Sequence, residues 1–354
     1  MTGTLDIAIH KTEQSRISQV DFDNISFGKE YSDHMFVADF KNGQWSDLRI
    51  VPFGHLKISP ANAALHYGQS IFEGMKAYRN AEGRPLIFRP EMNARRFNRS
   101  AVRMCMPEIP EEIFIGGLAK LVDLDKDWIP SKPGTSLYLR PFMFAADEYI
   151  GVRPSQTYKF MIFTCPVGGY YSKPVRVKVE TKFVRAAEGG TGAAKTAGNY
   201  AASLYPAQLA VKEGYDQLIW TDAKTHTFIE EAGTMNFMFV IDGKLVTPPT
   251  SGSILEGVTR HSILELASDW GMVVEERPVK VQEVIEAIKS GRLQEAFGAG
   301  TAATVAHIEA IGHEGTDYEL PPIESREFSN KVLKEMEALK RGEIEDRFGW
   351  IYKV

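Results

Sequence analysis

The distribution of apolar and polar positions predicts a mixture of strands and helices. Strands are predicted where β-branched and aromatic residues lie between turn residues, at 35–40, 175–179, 216–221, 236–241 and 244–247. Asp242-Gly243 between the last two is a hairpin signal. Helices are predicted at 90–104, 199–212 and 259–270. Because strands and helices do not alternate with regular βαβ spacing, the pattern favours two mixed α+β domains over a doubly wound sheet.

Chain length and loop-rich segments indicate where these domains meet. A chain of 354 residues with 44% hydrophobic content has enough apolar material for two cores. Glycine and other small residues concentrate in 168–174 and 186–198, as is typical of loops. We therefore predict a smaller N-terminal α/β domain over 1–172, a linker over 173–187 and a larger C-terminal domain over 188–354.

Charge and cysteine content narrow the class of protein. The formal net charge of −5 comes from interspersed signs, so there is no basic stripe for nucleic acid or for a membrane surface. The first 19 residues lack the apolar centre of a signal peptide, and no apolar run is long enough to span a bilayer. Cys105 and Cys165 belong to no metal-type cluster. We expect a cytoplasmic protein without a metal site and without nucleic-acid or membrane partners.

Lys195 is the first candidate for chemistry, because it lies in the small-residue run 189–200, which contains no acid. Such a lysine can act as a nucleophile. A phosphate-binding loop, G-x-x-x-x-G-K-[ST], would place Lys195-Thr196 correctly from Gly189, but its second glycine is replaced by Ala194. A solvated lysine on a glycine-rich loop is the third interpretation.

Two turns and one acid are candidates for binding an anionic ligand, and the alternative interpretations are an ordinary helix cap and a surface acid pair. A glycine and a threonine stand at the predicted helix start in 257–262, where unpaired N–H groups attract phosphate. The turn 297–304 repeats glycines, small residues and a hydroxyl, and Glu231 precedes small residues and an apolar strand. Together with Lys195 and an arginine from the helix after Phe88, they suit pyridoxal 5′-phosphate. That cofactor needs a Schiff-base lysine, a carboxylate at the ring nitrogen and donors to phosphate.

Ordered motifs make the chain resemble the branched-chain amino acid aminotransferases, which are class IV, fold type IV pyridoxal-phosphate enzymes. The resemblance covers nearly the whole chain and lies in segments 27–29, 33–35, 65–68, 72–76, 88–90, 137–141, 195–200, 231–236, 257–260 and 298–302. It implies the D-amino acid aminotransferase-like architecture of two mixed α/β domains with the active site between them.

The resemblance also implies roles for individual residues at the cofactor. Lys195 would be the Schiff-base lysine and the base that moves the proton, and Glu231 would pair with the ring nitrogen. Tyr200 would bond the cofactor's O3′, and Arg96 would clamp the phosphate. Val258, Thr259 and Thr301 would complete the phosphate cradle, and Thr234 would make a further cofactor or substrate contact.

The substrate residues are implied in the same way. Tyr138 and Arg140, two apart on a strand, would point to one face and bind the side-chain carboxylate of glutamate. The Thr301-Ala302 turn would receive the α-carboxylate. An aromatic wall would accept the branched side chains, formed by Phe27, Tyr67, Phe72 and Tyr170.

The activity implied is reversible transamination of L-leucine, L-isoleucine and L-valine with 2-oxoglutarate, by a ping-pong mechanism in a homodimer. A D-amino acid aminotransferase or an aminodeoxychorismate lyase would share the cofactor residues, but the Tyr138 and Arg140 pair favours branched-chain L-substrates. In a different class, a phosphate-loop-like nucleotide-binding module stays open.

Overall fold

The computed structural model describes residues 5–169 and 173–354, which form two compact units. Unit 1 comprises 5–169, 194–197 and 338–354, and unit 2 comprises 173–193 and 198–337. Each unit has its own sheet and its own hydrophobic core. The mixed α+β class predicted from the sequence is confirmed.

Unit 1 is built on one largely antiparallel sheet. In the described residues its strands are β1 (Ala8–Ile9), β2 (His34–Lys41), β3 (Gln44–Pro52), β4 (Ser70–Phe72), β5 (Met75–Arg79), β6 (Pro85–Phe88), β7 (Ser136–Ala145), β8 (Tyr158–Val167) and β19 (Ile351–Lys353). Their order is β1-β3-β2-β8-β7-β5-β6-β19, and β4 pairs with β7 off this path. The helices are α1 (Ala63–Tyr67), α2 (Pro90–Arg103) and α3 (Glu111–Leu124), with 3-10 turns at Ile17–Gln19 and Lys126–Trp128.

The core of unit 1 explains why α2 and α3 form where they do. Phe97 of α2 and Phe114 of α3 are fully buried and pack edge-on or tilted against Phe160 of β8. Burying such rings is the main stabilising term of the core. Asn42 and Gly43 form the turn between β2 and β3, and both have positive φ angles, 53° and 77°, as a two-residue hairpin requires.

Unit 2 contains a sheet whose pairings close on themselves. Its described strands are β9 (Val175–Val179), β10 (Gln217–Thr221), β11 (Phe228–Ala232), β12 (Met235–Ile241), β13 (Lys244–Thr247), β14 (Val274–Glu276), β15 (Val279–Lys280), β16 (Leu293–Gly300), β17 (Thr304–His313) and β18 (Thr316–Glu319). The ladder runs β12-β16-β17-β9-β10-β11 and returns to β12. The helices are α4 (Ala197–Lys212), α5 (Val258–Asp269), α6 (Val281–Lys289) and α7 (Glu327–Lys340), with a 3-10 turn at Ile323–Ser325.

The predicted elements are confirmed to within two residues, but the predicted domain boundaries need correction. The linker expected at 173–187 contains β9, which pairs with β10 and β17 and buries Val175, Val177 and Val179. Residues 338–354, expected in the C-terminal domain, belong to unit 1, where β19 pairs with β6. Both corrections come from long-range strand pairing, which loop composition does not report.

Within the described part of the chain, no helix combines the length and apolar character needed to cross a membrane.

Candidate active site

The backbone around Lys195 is fixed inside unit 1 by three hydrogen bonds. The Lys195 N–H donates to Ser100 Oγ at 2.9 Å, and the Lys195 carbonyl accepts from the Phe72 N–H at 3.0 Å. Thr196 Oγ1 donates to the Ser70 carbonyl at 2.7 Å. The lysine is therefore held between β4 and α2, which is not the arrangement of a solvated loop residue.

The phosphate-loop alternative also fails on this backbone. A phosphate loop needs several successive N–H groups turned towards the ligand. Here the N–H groups of Gly190, Ala193 and Lys195 donate to protein acceptors, namely the Ala187 carbonyl, the Gly252 carbonyl and Ser100 Oγ. In addition, the position where a phosphate loop requires its second glycine is occupied by Ala194, which is buried.

The side chain of Lys195 has an aromatic and an acidic neighbour that its own sequence run does not contain. Its Nζ lies 4.9 Å from the centre of the Phe72 ring, a cation–π distance. Glu73 follows Phe72, is fully buried and interacts electrostatically with Lys195. The acid near Lys195 therefore comes from a segment far from its own run, 189–200.

Glu73 is held by two side chains of α2. Arg96 Nε donates to Glu73 Oε1 and Arg96 Nη2 donates to Glu73 Oε2, both at 2.8 Å, and Asn93 Nδ2 donates to Oε2 at 2.7 Å. Burial alone would raise the pKa of Glu73, but the positive charges of Arg96 and Lys195 and the hydrogen bonds outweigh burial and lower it. Glu73 is thus an anion, and the sequence motifs give it no role.

Tyr138 and Arg140, predicted to bind substrate, lie side by side on β7, and their role stays a prediction. Arg140 Nη2 donates to Tyr138 Oη at 2.9 Å, and the Arg140 guanidinium lies 4.6 Å from the Phe72 ring centre. The Phe27 ring packs edge-on against Tyr138 at 5.1 Å. A Cβ at Gly74 would lie 2.1 Å from Tyr138 Oη, so only glycine leaves room for this phenol. Unit 1 therefore groups Arg140 with the rings of Phe27, Phe72 and Tyr138, and the Phe72 ring also lies next to Lys195 Nζ.

Glu231 is a buried carboxylate of unit 2. Its Oε1 accepts from Asn236 Nδ2 at 3.0 Å and from the Leu255 N–H at 2.9 Å, and its Oε2 lies 2.9 Å from Arg185 Nε. A buried acid with a cationic partner and amide donors is stabilised in its charged form. Its neighbour Glu230, expected to be solvated, is instead partly buried and accepts a hydrogen bond from Ser253.

The N-terminus of α5 lies in the same unit. Val258 and Thr259 are its first two residues, both are buried, and no side chain of the described residues caps the helix. The first N–H groups of a helix have no partner inside it and carry the positive end of its dipole. A Cβ on the preceding Gly257 would lie 2.0 Å from Asn236 Oδ1, so this glycine lets the helix start next to the residue that holds Glu231.

Comparison with known proteins identifies the family. The family model described as amino-transferase class IV matches residues 70–311. The chain is 46% identical to branched-chain-amino-acid aminotransferase 2 of Bacillus subtilis (strain 168) over 94% of this chain and 93% of that protein. The chain belongs to the class IV aminotransferases.

Solved structures agree with this class IV aminotransferase assignment. A branched-chain aminotransferase from the archaeon Thermoproteus uzoniensis, crystallised with norvaline, superposes with a TM-score of 0.75 and 26% identity, covering 90% of this chain and 99% of that chain. The branched-chain amino acid aminotransferase of Escherichia coli gives a TM-score of 0.73 and 27% identity, covering 90% of this chain and 98% of that chain. The predicted fold type is confirmed.

Several further predicted site residues of this class IV aminotransferase lie in turns and at helix ends. Thr301 and Ala302 form the turn between β16 and β17 and are partly buried, while Thr234 lies in the turn between β11 and β12. Tyr200 lies in the first turn of α4, and Tyr67 at the end of α1 is 40% exposed. Their roles stay predictions. Tyr170 lies outside the described residues.

The residues present fit pyridoxal 5′-phosphate, the cofactor of class IV aminotransferases. Lys195 supplies an amine beside an aromatic face. Glu231 supplies a buried carboxylate whose Oε2 lies 2.9 Å from Arg185 Nε, and a carboxylate is the group that a protonated ring nitrogen requires. The start of α5 supplies N–H groups of the kind that bind phosphate. These are the kinds of group that the aldehyde, the ring nitrogen and the phosphate each require.

Proposed function

We propose that this class IV aminotransferase reversibly transfers the amino group of L-leucine, L-isoleucine or L-valine to 2-oxoglutarate. The observation that carries the proposal is the grouping of Arg140, Tyr138 and Phe72 beside Lys195 in unit 1. Phe72 offers apolar surface to a branched side chain, and Arg140 offers a cation to the second carboxylate of glutamate. The relative from B. subtilis is named branched-chain-amino-acid aminotransferase 2, which describes the same activity.

Pyridoxal 5′-phosphate, when bound, supplies the electron sink for the bond broken at the substrate Cα. Lys195 would be the base, and its Nζ would move the proton between the substrate Cα and C4′ of the cofactor. The fixed Lys195 backbone limits where Nζ can reach, so the proton is delivered on one face. Lys195 also holds the cofactor covalently between turnovers.

The residues of unit 2 hold the other parts of the cofactor. Glu231 would accept a hydrogen bond from the ring nitrogen and favour its protonated form, and Arg185 lies beside Glu231 as a cationic partner. Thr259, Val258 and Thr301 donate to the phosphate, together with Arg96 of unit 1. Tyr200 donates to O3′, and Thr234 contacts the cofactor or the substrate.

Two kinds of substrate side chain must be accepted in turn. A carboxylate of glutamate gains charge-assisted hydrogen bonds from Arg140 and the Tyr138 hydroxyl. An aliphatic side chain instead packs on Phe72, Phe27 and the remaining aromatic residues, Tyr67 and Tyr170. Since one methylene is worth only about 1–3 kcal/mol in such a pocket, we expect weak discrimination among leucine, isoleucine and valine. The α-carboxylate binds at the Thr301-Ala302 turn.

We also propose that the enzyme is a cytoplasmic homodimer. Exposed apolar side chains form a patch on α1 and on the loop after β7, which are joined by the bridge between Asn62 and Glu148. The patch consists of Leu65, Tyr67, Tyr149, Ile150 and Val152. Such a patch is typical of a subunit contact. Cys105 and Cys165 are free thiols, which agrees with a reducing compartment. Sedimentation of the purified protein tests the dimer.

The visible absorption spectrum tests the activity directly. We expect a yellow protein whose band bleaches with L-leucine and returns with 2-oxoglutarate, and that does not bleach with D-alanine. Lys195→Ala should abolish turnover, whereas the exposed Lys212→Ala on α4 should leave it unchanged. A protein that stays colourless with added pyridoxal 5′-phosphate, or a Lys195→Ala enzyme with near wild-type turnover, would refute the proposal. Bleaching by D-alanine but not L-leucine would indicate a D-amino acid aminotransferase.

A further inference from the structure

Glu73 is a fully buried acid that the proposed mechanism has not used. It follows β4, and its own N–H donates to the Pro141 carbonyl at 2.7 Å, so its backbone is fixed next to β7. A buried carboxylate is costly unless donors compensate it. Glu73 receives its donors mainly from one face of α2, where Asn93 and Arg96 are three residues apart.

The pair that Glu73 makes with Arg96 has a defined orientation. Nε and Nη2 of Arg96 each donate to a different oxygen of Glu73, so the carboxylate occupies one long edge of the planar guanidinium. A guanidinium carries five N–H donors in a rigid fork, and those on the opposite edge point away from this carboxylate. Arg96 is 5% exposed and cannot rotate without leaving Glu73 unpaired.

We infer that Glu73 is a positioning residue that fixes Arg96 so that the opposite edge of its guanidinium faces the cofactor phosphate. This inference rests on the proposed function, in which Arg96 is a phosphate ligand. Asn93 is a positioning residue for Glu73, because its Nδ2 donates to Glu73 Oε2 from the same helix as Arg96.

A Glu73→Gln variant separates this role from a purely structural one. An amide presents one acceptor and one donor to two guanidinium donors, so the side-on pair cannot form and Arg96 must shift. We expect the dissociation constant of pyridoxal 5′-phosphate to rise about tenfold or more, the scale of one hydrogen bond to a charged group. The dissociation constant of pyridoxal, which lacks the phosphate, should change by less than about twofold on the same scale.

A matched control exists on the same helix. Arg95 pairs with Glu111 at 3.8 Å, and both side chains are largely exposed. Glu111→Gln therefore removes the partner of a neighbouring arginine without disturbing a buried pair, and both dissociation constants should stay at the wild-type values. Thermal unfolding of the protein without cofactor is recorded for each variant.

If Glu73→Gln does not fold, Glu73→Asp provides a second test of the same role. The shorter side chain retains the charge but withdraws the carboxylate from Arg96, so affinity for pyridoxal 5′-phosphate should again fall more than affinity for pyridoxal. If the wild-type enzyme is active and the variants lose affinity for both probes equally, or lose none, the inference is overturned. The proposed function would then still stand. A wild-type protein that binds neither probe and does not turn over would overturn the proposed function as well.

Discussion

At the scale of single residues, the sharpest constraint is the contact between Gly74 and Tyr138. We predict that Gly74→Ala lowers kcat/KM for L-leucine and L-glutamate by about tenfold or more, because small misplacements in an active site are costly. The added methyl group would lie 2.1 Å from Tyr138 Oη and must displace the phenol from Arg140. Steady-state kinetics measure this. Gly198→Ala, whose Cβ would meet no described atom within 4 Å, is the control. Equal kinetics for the two variants would contradict the predicted position of Tyr138.

Arg140 gives a second prediction at this scale. Arg140→Met keeps an apolar stem over Phe72 but removes the cation, so we expect kcat/KM for L-glutamate to fall about tenfold more than that for L-leucine. The comparison of the two substrates in one enzyme corrects for any general loss. Equal losses would show that Arg140 supports the pocket without recognising a carboxylate.

Single residues also show what can and cannot be predicted. Lys195 and Glu231 lie in local runs of unusual composition, and the structure gives both of them defined environments. Glu73 could have been suspected, because it is an acid between the apolar Ile71-Phe72 and a glycine. Its partners Asn93 and Arg96 are about 20 residues away along the chain. The residues around Asn93 and Arg96 give no local signal of that pairing, because it depends on how α2 packs on the sheet.

At the scale of elements, the start of α5 links the helix to the acid of unit 2. We predict that Gly257→Ala lowers the melting temperature and weakens retention of pyridoxal 5′-phosphate, because a methyl group there would collide with Asn236 Oδ1. Asn236 must then move away from Glu231. Loss of one hydrogen bond to a charged group corresponds to about 1.5–3 kcal/mol.

Gly252→Ala in the loop before α5 is the matched control, since its Cβ would meet its nearest neighbour at 3.9 Å. Thermal unfolding and dialysis followed by absorbance distinguish the two variants. If Gly257→Ala retained cofactor and stability as well as Gly252→Ala does, the predicted collision with Asn236 would be contradicted.

Local patterns predict elements better than connections. The Asp242-Gly243 turn has positive φ at both residues, so the β12–β13 hairpin can be read directly from turn chemistry. The apolar pattern predicts α4 despite Pro206, which lies inside it. By contrast, loop composition places β9 in a linker. Its alternating valines indicate a strand, but only its pairing with β10 and β17 shows which sheet it joins.

At the scale of the whole molecule, the sequence predicts two domains but not their composition. The return of β19 to β6 and the closure of β11 onto β12 belong to the packing of complete sheets, and the first joins segments far apart along the chain. Such pairings leave no local signal in the pattern of a single strand. The family resemblance supplied the fold type, and elementary periodicity could not have supplied it.

Each unit also has an acid that anchors a loop, and these two acids contribute to the response to low pH. Asp147 in unit 1 accepts hydrogen bonds from Gln156 N, Thr157 N and Thr157 Oγ1, at 2.6 to 3.0 Å. Asp222 in unit 2 accepts from Thr225, Thr227 and Phe228 N–H groups at 2.7 to 2.8 Å. Burial raises the pKa of each acid, but the hydrogen bonds outweigh burial and lower both pKa values to about 2.

A carboxyl group with a lowered folded-state pKa stabilises the protein above its unfolded pKa of about 3.9, and that stability is lost as the pH falls towards 2. We therefore predict that Asp147→Asn and Asp222→Asn each lower the free energy of unfolding at pH 7, by on the order of 1–2 kcal/mol. The difference from wild type should shrink between about pH 4 and pH 2, as urea denaturation at each pH can measure. Asp123→Asn, an exposed surface change, should show no such dependence. A difference that stayed constant over this whole range would mean that the loops depend on side-chain shape and not on the carboxylate charge.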